Sequence, residues 1–177
     1  MSLLNLEAGR ALPDDCNVVI EIPMNGAPIK YEMDKASGAL FVDRFLSTAM
    51  HYPCNYGYIP QTLCGDGDPV DALVLTPIPL QTGVVVRCRP IALLRMEDEN
   101  GEDAKILMAP VVKTCPSLAG INGPDDVSQV LLRQISHFFE HYKDLEAGKF
   151  VRTHGWADAQ AARQEILASR DLYLRGK

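Results

Sequence analysis

What most constrains the fold of this 177-residue chain is the order of its periodicities: short apolar runs bounded by turns come first, and helical spacing begins only near Asp126. Val18-Val19-Ile20-Glu21-Ile22 is β-branched and reads as a strand. In the next run, Ile29, Tyr31 and Met33 alternate with Lys30, Glu32 and Asp34, so Lys30 and Glu32 share one face. Ser37-Gly38 turns the chain into a strand over 39–45, and further strands are expected at 52–60, 72–75, 84–90, 91–96 and 104–108. Asn100-Gly101 between two of these runs is a hairpin signal. The connection 114–124 is rich in Gly and Pro. Beyond it, Asp126 and Gln129 have the spacing of a capping box, and Val127, Val130, Leu131, Ile135, Phe138, Phe139 and Tyr142 recur at helical spacing as far as Gly148. Residues 149–152 allow a short strand, and Asp158 opens a second helix through Ala162, Ile166 and Leu167. Strands followed by helices define an α+β class, here a small antiparallel β-barrel with two main helices against it, in one domain over 1–177.

Charge narrows the function. The net charge is −6, with an isoelectric point of about 5.2, which argues against a general nucleic-acid binder. A barrel presenting Tyr52, Tyr56 and Tyr58 to single-stranded bases would need a basic groove instead. The five cysteines are odd in number and form no C-x-x-C pair, which suits reduced thiols in the cytoplasm. The N-terminus lacks a basic start, and no run approaches the ~18 apolar residues of a membrane span.

Chemistry concentrates in Asp66-Gly67-Asp68-Pro69-Val70-Asp71, where three carboxylates are spaced by residues that disfavour helix and which runs straight into Ala72-Leu73-Val74-Leu75. A solvated turn could carry the same residues. An EF-hand could not, because the Gly comes too early and Pro77 stands where the closing Glu belongs. A second acidic cluster favours a cation. A two-residue loop at Asn100-Gly101 would set Glu99 opposite Glu102 and Asp98 opposite Asp103, and like charges so placed repel unless a cation lies between them. With Lys30, Arg44 and Lys105 nearby in pattern, acids for Mg²⁺ and bases for a polyanion are the equipment of metal-assisted phosphoryl transfer to water. No P-loop is present.

These motifs resemble the soluble (family I) inorganic pyrophosphatases of bacterial type. The resemblance runs through Glu21-Ile22-Pro23, Lys30-Tyr31-Glu32, Gly38-Ala39-Leu40, Asp43-Arg44, Tyr52 to Ile59, the Asp66–Asp71 hexapeptide, Gly101 to Lys105 and His137 to Lys143, and is weakest from Thr114 to Asp126. It implies an OB-like barrel and hydrolysis of pyrophosphate to two phosphates, with several Mg²⁺ ions per site. Asp66, Asp71 and Asp103 would hold the first ion, and Asp71 would also reach a second. Asp98 and Asp103 would take an ion arriving with substrate, with Glu99 nearby, and Glu21 and Glu32 would act through metal-bound water. Asp68 would be the base for a water bridging two ions. Lys30, Arg44, Tyr52, Tyr56, Lys105, Tyr142 and Lys143 would hold the phosphates, with Tyr56, Lys30 and Arg44 counted beside Asp68 as catalytic. The resemblance also implies a cytoplasmic homohexamer, a dimer of trimers, with His137, His141 and Asp144 near the trimer–trimer interface. Those three fall on one stripe of the first helix, where an ordinary solvated face is the alternative.

Overall fold

A computed structural model describes residues 5–34 and 37–176. Ten strands precede or interleave with two helices: β1 (Gly9–Ala11), β2 (Asp15–Ile22), β3 (Ile29–Met33), β4 (Leu40–Phe45), β5 (Asn55–Tyr58), β6 (Asp71–Val74), β7 (Val85–Asp98), β8 (Gly101–Glu102), β9 (Lys105–Pro110), α1 (Gln129–His141), β10 (Val151–Ala157) and α2 (Ala159–Arg175). The main sheet runs β1-β2-β5-β6-β9-β7-β10, and a further pairing of β2 with β7 closes β2, β5, β6, β9 and β7 into a ring. The fold is therefore α+β, with the sheet closed on itself. One pairing in the ring, β6 with β9, is parallel and sets Asp71 beside Lys105; the others are antiparallel. β3 and β4 form a separate hairpin.

Both faces of the ring strands are covered, so these segments read as unbroken apolar runs rather than as alternating ones. Successive residues go to opposite sides. Leu73 and Leu107 join a core with Ile22, Leu94, Ile135, Phe138 and Phe139, whereas Ala72, Val74, Ile106 and Met108 join one with Val18, Ile20, Ala162 and Ile166. Thus α1 covers one side and α2 the other. Leu132, Ile135, Phe138 and Phe139 are the buried stripe of α1, and each large apolar side chain contributes about 1.5–3 kcal/mol on full burial. Where β5 crosses β2 the chains touch closely: a Cβ on Gly57 would lie 1.8 Å from the Val19 carbonyl oxygen, so only glycine fits.

Four local expectations need correction. The two strands expected over 84–90 and 91–96 are one, β7 over Val85–Asp98, because Pro90 sits at a register shift against β9, where its missing N–H costs no ladder bond. Asp126 does not cap α1; its Oδ2 accepts the Asn122 and Gly123 N–H groups (2.8 and 3.1 Å) in the preceding 3₁₀ turn, and Ser128 is the residue before the helix. The helix then stops at His141, seven residues short of Gly148, as the Asp144 and Glu146 N–H groups take up carbonyls in successive turns. The hairpin register is displaced by one: Glu99 and Asn100 are the loop, Asp98 pairs with Gly101 and Glu97 with Glu102. The Asn100 N–H donates to Asp98 Oδ1 (2.8 Å), and Gly101 takes φ +122, which starts the return strand a residue early. The opposed acids are therefore Glu97 and Glu102, and Arg152 of β10 relieves them with its Nη1 3.2 Å from Glu97, while His154 Nε2 lies 3.6 Å from the same carboxylate. Asp158 caps α2 as expected, accepting the Ala161 N–H at 2.9 Å.

Candidate active site

One pocket of about 210 Å³ opens where the β3–β4 hairpin, the 66–71 loop, the β7–β8 turn and the segment after α1 meet. Of the fifteen site residues expected from the sequence, it gathers fourteen: Glu21, Lys30, Glu32, Arg44, Tyr56, Asp66, Asp68, Asp71, Asp98, Glu99, Asp103, Lys105, Tyr142 and Lys143. Tyr52 is not at the wall. It is 3 % exposed, with its ring 4.6 Å from that of Phe138 and 5.4 Å from that of Tyr56, so it packs behind Tyr56 in the core. Tyr31, Tyr58 and Lys149 also line the pocket; Tyr58 is one of three clustered tyrosines in the sequence, but neither it nor Tyr31 nor Lys149 was given a role in the site. Lys149 follows the helix in a turn with no periodicity of its own, so nothing local marks it.

The parallel β6–β9 register builds the centre of the site. It places Lys105, 5 % exposed, against both Asp71 and Asp103, with its ammonium 6.0 Å from the Phe139 ring centroid. Burial works to discharge this amine, but the charges of Asp71 and Asp103 outweigh it and hold Lys105 protonated, above the usual lysine range. Asp103 is shifted upward, first by burial and further by Asp71, with Lys105 offsetting part of that. Lys143 anchors the second acidic cluster, donating to Asp98 Oδ2 at 2.7 Å and reaching both Glu99 oxygens at 3.4 Å. Burial of Asp98 is more than balanced by Lys143 and the Asn100 N–H, and its carboxyl falls below the ordinary value. At the rim, Lys30 lies 3.3 Å from both Glu32 and Asp43, and Glu146 holds Arg44 (3.5 Å) and Lys149 (3.3 Å). The acidic loop is closed by the Asp68 N–H, which donates to Asp66 Oδ1 at 2.9 Å.

Glu21 is the most perturbed acid. It is 6 % exposed, its Oε1 accepts the Met33 N–H at 2.8 Å, and burial, together with Asp71 and Glu32, pushes its carboxyl up to about 8. The native state thus binds a proton that the unfolded chain releases above the ordinary value of 4.5. The stability this contributes is full below pH 4.5 and lost as pH rises toward 8. Glu21→Gln should consequently raise metal-free stability at pH 8 by on the order of 2 kcal/mol and leave it nearly unchanged at pH 4.5. Urea unfolding at the two pH values reads this; an equal change at both would contradict it.

Eight carboxyl groups and five cationic side chains line the pocket, and each of the five cations is ion-paired with at least one carboxylate. The acids therefore remain in excess, and crowded oxygen donors of this kind suit hard divalent cations. Among the described residues no three acids already converge on one point, since lysine ammonium groups stand between them. By donor chemistry the wall fits Mg²⁺. No helix among the described residues is long and apolar enough to cross a membrane.

The fold and the pocket together define an α+β protein with a closed sheet and a site in which carboxylates stand beside cationic side chains. The inorganic pyrophosphatase family model matches residues 18–174. Inorganic pyrophosphatases of Salmonella typhimurium and of Escherichia coli K12 are each 62 % identical over 169 residues, covering 96 % of this chain and 96 % of theirs. Among solved structures, an inorganic pyrophosphatase from Coxiella burnetii superposes with TM-score 0.92 at 53 % identity, over 95 % of this chain and 99 % of that one. The Thermus thermophilus enzyme gives 0.92 at 44 % identity over 98 % and 99 %. The chain belongs to the inorganic pyrophosphatase family.

Proposed function

We propose that this protein hydrolyses inorganic pyrophosphate to two phosphates in a Mg²⁺-dependent reaction. The observation that carries the proposal is the single pocket in which an excess of carboxylates faces five cationic side chains. Asp66, Asp71 and Asp103 would hold the first ion, Asp71 with its neighbours a second, and Asp98 and Asp103, with Glu99 beside them, the ion that comes with substrate. Mg²⁺ so held supplies charge neutralisation and makes a water far more acidic than bulk water. Substrate oxygens then compete with carboxylates for cations already in place. Lys105 is shared by Asp71 and Asp103, and Lys143 by Asp98 and Glu99, so both amines are held rigidly against the wall before the anion arrives. Lys30 and Arg44 reach the anion from β3 and β4, and Tyr56 and Tyr142 donate phenolic protons. Burial raises both phenols above the ordinary tyrosine range, which keeps those protons in place. Asp68 sits on the exposed loop and takes the proton of the attacking water, while Glu21 and Glu32 order water at the floor and rim. Fixed cations aimed at the departing phosphate stabilise the charge that develops there.

The test is phosphate release from pyrophosphate by metal-stripped protein with and without added Mg²⁺. Two phosphates per pyrophosphate with Mg²⁺, and none in chelator, is the expected result; no release with Mg²⁺ would sink the proposal. We further propose that the chain works as one cytoplasmic domain and assembles as a dimer of trimers through α1. His137, His141 and Asp144 are exposed and joined side by side, with the two histidine rings 4.5 Å apart and His141 Nδ1 2.8 Å from Asp144 Oδ2. Sedimentation of a His137→Ala/His141→Ala variant should show trimers, and an unchanged hexamer would contradict this.

A further inference from the structure

We propose that Arg170 of α2 is a positioning residue for the acidic loop, acting through Gln61. Gln61 has φ +54, the left-handed region in which a residue with a Cβ is strained, so something must hold it there. Arg170 does so: its Nη1 donates both to the Gln61 carbonyl oxygen (2.8 Å) and to Gln61 Oε1 (3.0 Å), and its guanidinium lies 5.5 Å from the Tyr173 ring centroid. The clamp continues along the chain. The Leu63 N–H donates to the Ser169 carbonyl oxygen at 2.9 Å, and Cys64 Sγ lies 3.7 Å from Ser169 Oγ. Thr62, 2 % exposed, donates to the Ile59 carbonyl oxygen (2.6 Å) and accepts the Val70 N–H (3.0 Å), which ties the two ends of the loop together. Inside that tie, the Cys64 N–H donates to the Asp68 carbonyl oxygen at 2.7 Å and the Gly67 N–H to that of Cys64 at 3.1 Å.

The consequence is a division of labour between two supports. Asp71 belongs to β6 and is fixed by the ring, whereas Asp66 and Asp68 hang from the 61–64 segment, which α2 fixes from outside the pocket. Arg170 is absent from the pocket wall, so its effect passes through the backbone. Without it, residue 61 relaxes toward right-handed dihedrals and the loop carrying Asp66 and Asp68 loses its register with Asp71. The metal-binding part of this inference rests on the function proposed above; the positioning of the loop does not.

Hydrogen exchange of the Cys64 and Val70 amides and calorimetric titration of Mg²⁺ test it on the full chain. Arg170→Ala should speed exchange at both amides about tenfold and weaken Mg²⁺ binding several-fold, while amides of β7 and β9 keep their protection. Adding Gln61→Gly should restore both, because glycine takes a positive φ unaided. Unchanged exchange in Arg170→Ala, or a double variant as perturbed as Arg170→Ala alone, would overturn the proposal. Failure of Arg170→Ala to fold supports it if the Gln61→Gly/Arg170→Ala variant folds normally, and overturns it if that variant fails as well. If the wild-type protein bound no Mg²⁺, the metal assignment would fall while the exchange result still decided the positioning role.

Discussion

Asp68→Asn is expected to lower the rate of pyrophosphate hydrolysis by about 10²–10⁴-fold, the contribution typical of a general base, and to leave Mg²⁺ binding nearly intact. The split follows from where the two central aspartates stand. Asp68 is exposed on the loop, and its backbone N–H turns back to Asp66 Oδ1 at 2.9 Å. Asp71 begins β6, lies in register with Lys105 on β9 and is bonded to that ammonium. Asp71→Asn therefore removes a charged ligand and one of the two carboxylates that hold Lys105, so it should weaken Mg²⁺ binding as well as the rate. Calorimetric titrations of the two variants beside their rates check the distinction. Equal losses of Mg²⁺ affinity in both would refute the separate roles.

Lys105→Met should be the most destabilising change at the site. It leaves Asp71 and Asp103 facing one another without the cation that now separates them, and breaking a buried ion pair from one side typically costs about 3–5 kcal/mol. For a chain of this size that corresponds to a fall in Tm of roughly 6–20 °C. The two carboxylates would then need a cation from solution, so Mg²⁺ should raise Tm of the variant by more than it raises that of the wild type. Scanning calorimetry of both proteins, with and without Mg²⁺, reads the two effects. An equal Mg²⁺ shift in both would show that Asp71 and Asp103 do not share an ion.

How much of this was legible in the sequence depended on how local each feature is. The acidic loop is written in six consecutive residues whose Gly and Pro force a turn, and Lys30 and Glu32 are set on one face by period-two alternation, so both were found from pattern. Asp158 was likewise a local cap. The β7–β8 register escaped because the choice between two loops one residue apart is made by the Asp98 side chain accepting from Asn100, a contact that the Asn-Gly signal does not specify. Tyr52 was misplaced because its partner is Phe138, which arrives from α1 eighty-six residues later. The Lys105 bridge depends on a parallel pairing between strands that are remote in sequence, and spacing alone says nothing about it. Lys149 lines the pocket between Glu99 (4.0 Å) and Glu146 (3.3 Å), from turns that begin where α1 stops short.

On the proposed function, the acids and the bases of this pocket serve metal and phosphate together. Crystals soaked in Mn²⁺, measured at the manganese absorption edge, test it most directly. Anomalous peaks are expected among Asp66, Asp71 and Asp103, with a further peak beside Asp98 when phosphate is added. Strong Mn²⁺ peaks elsewhere on the protein, with none in this pocket, would contradict it.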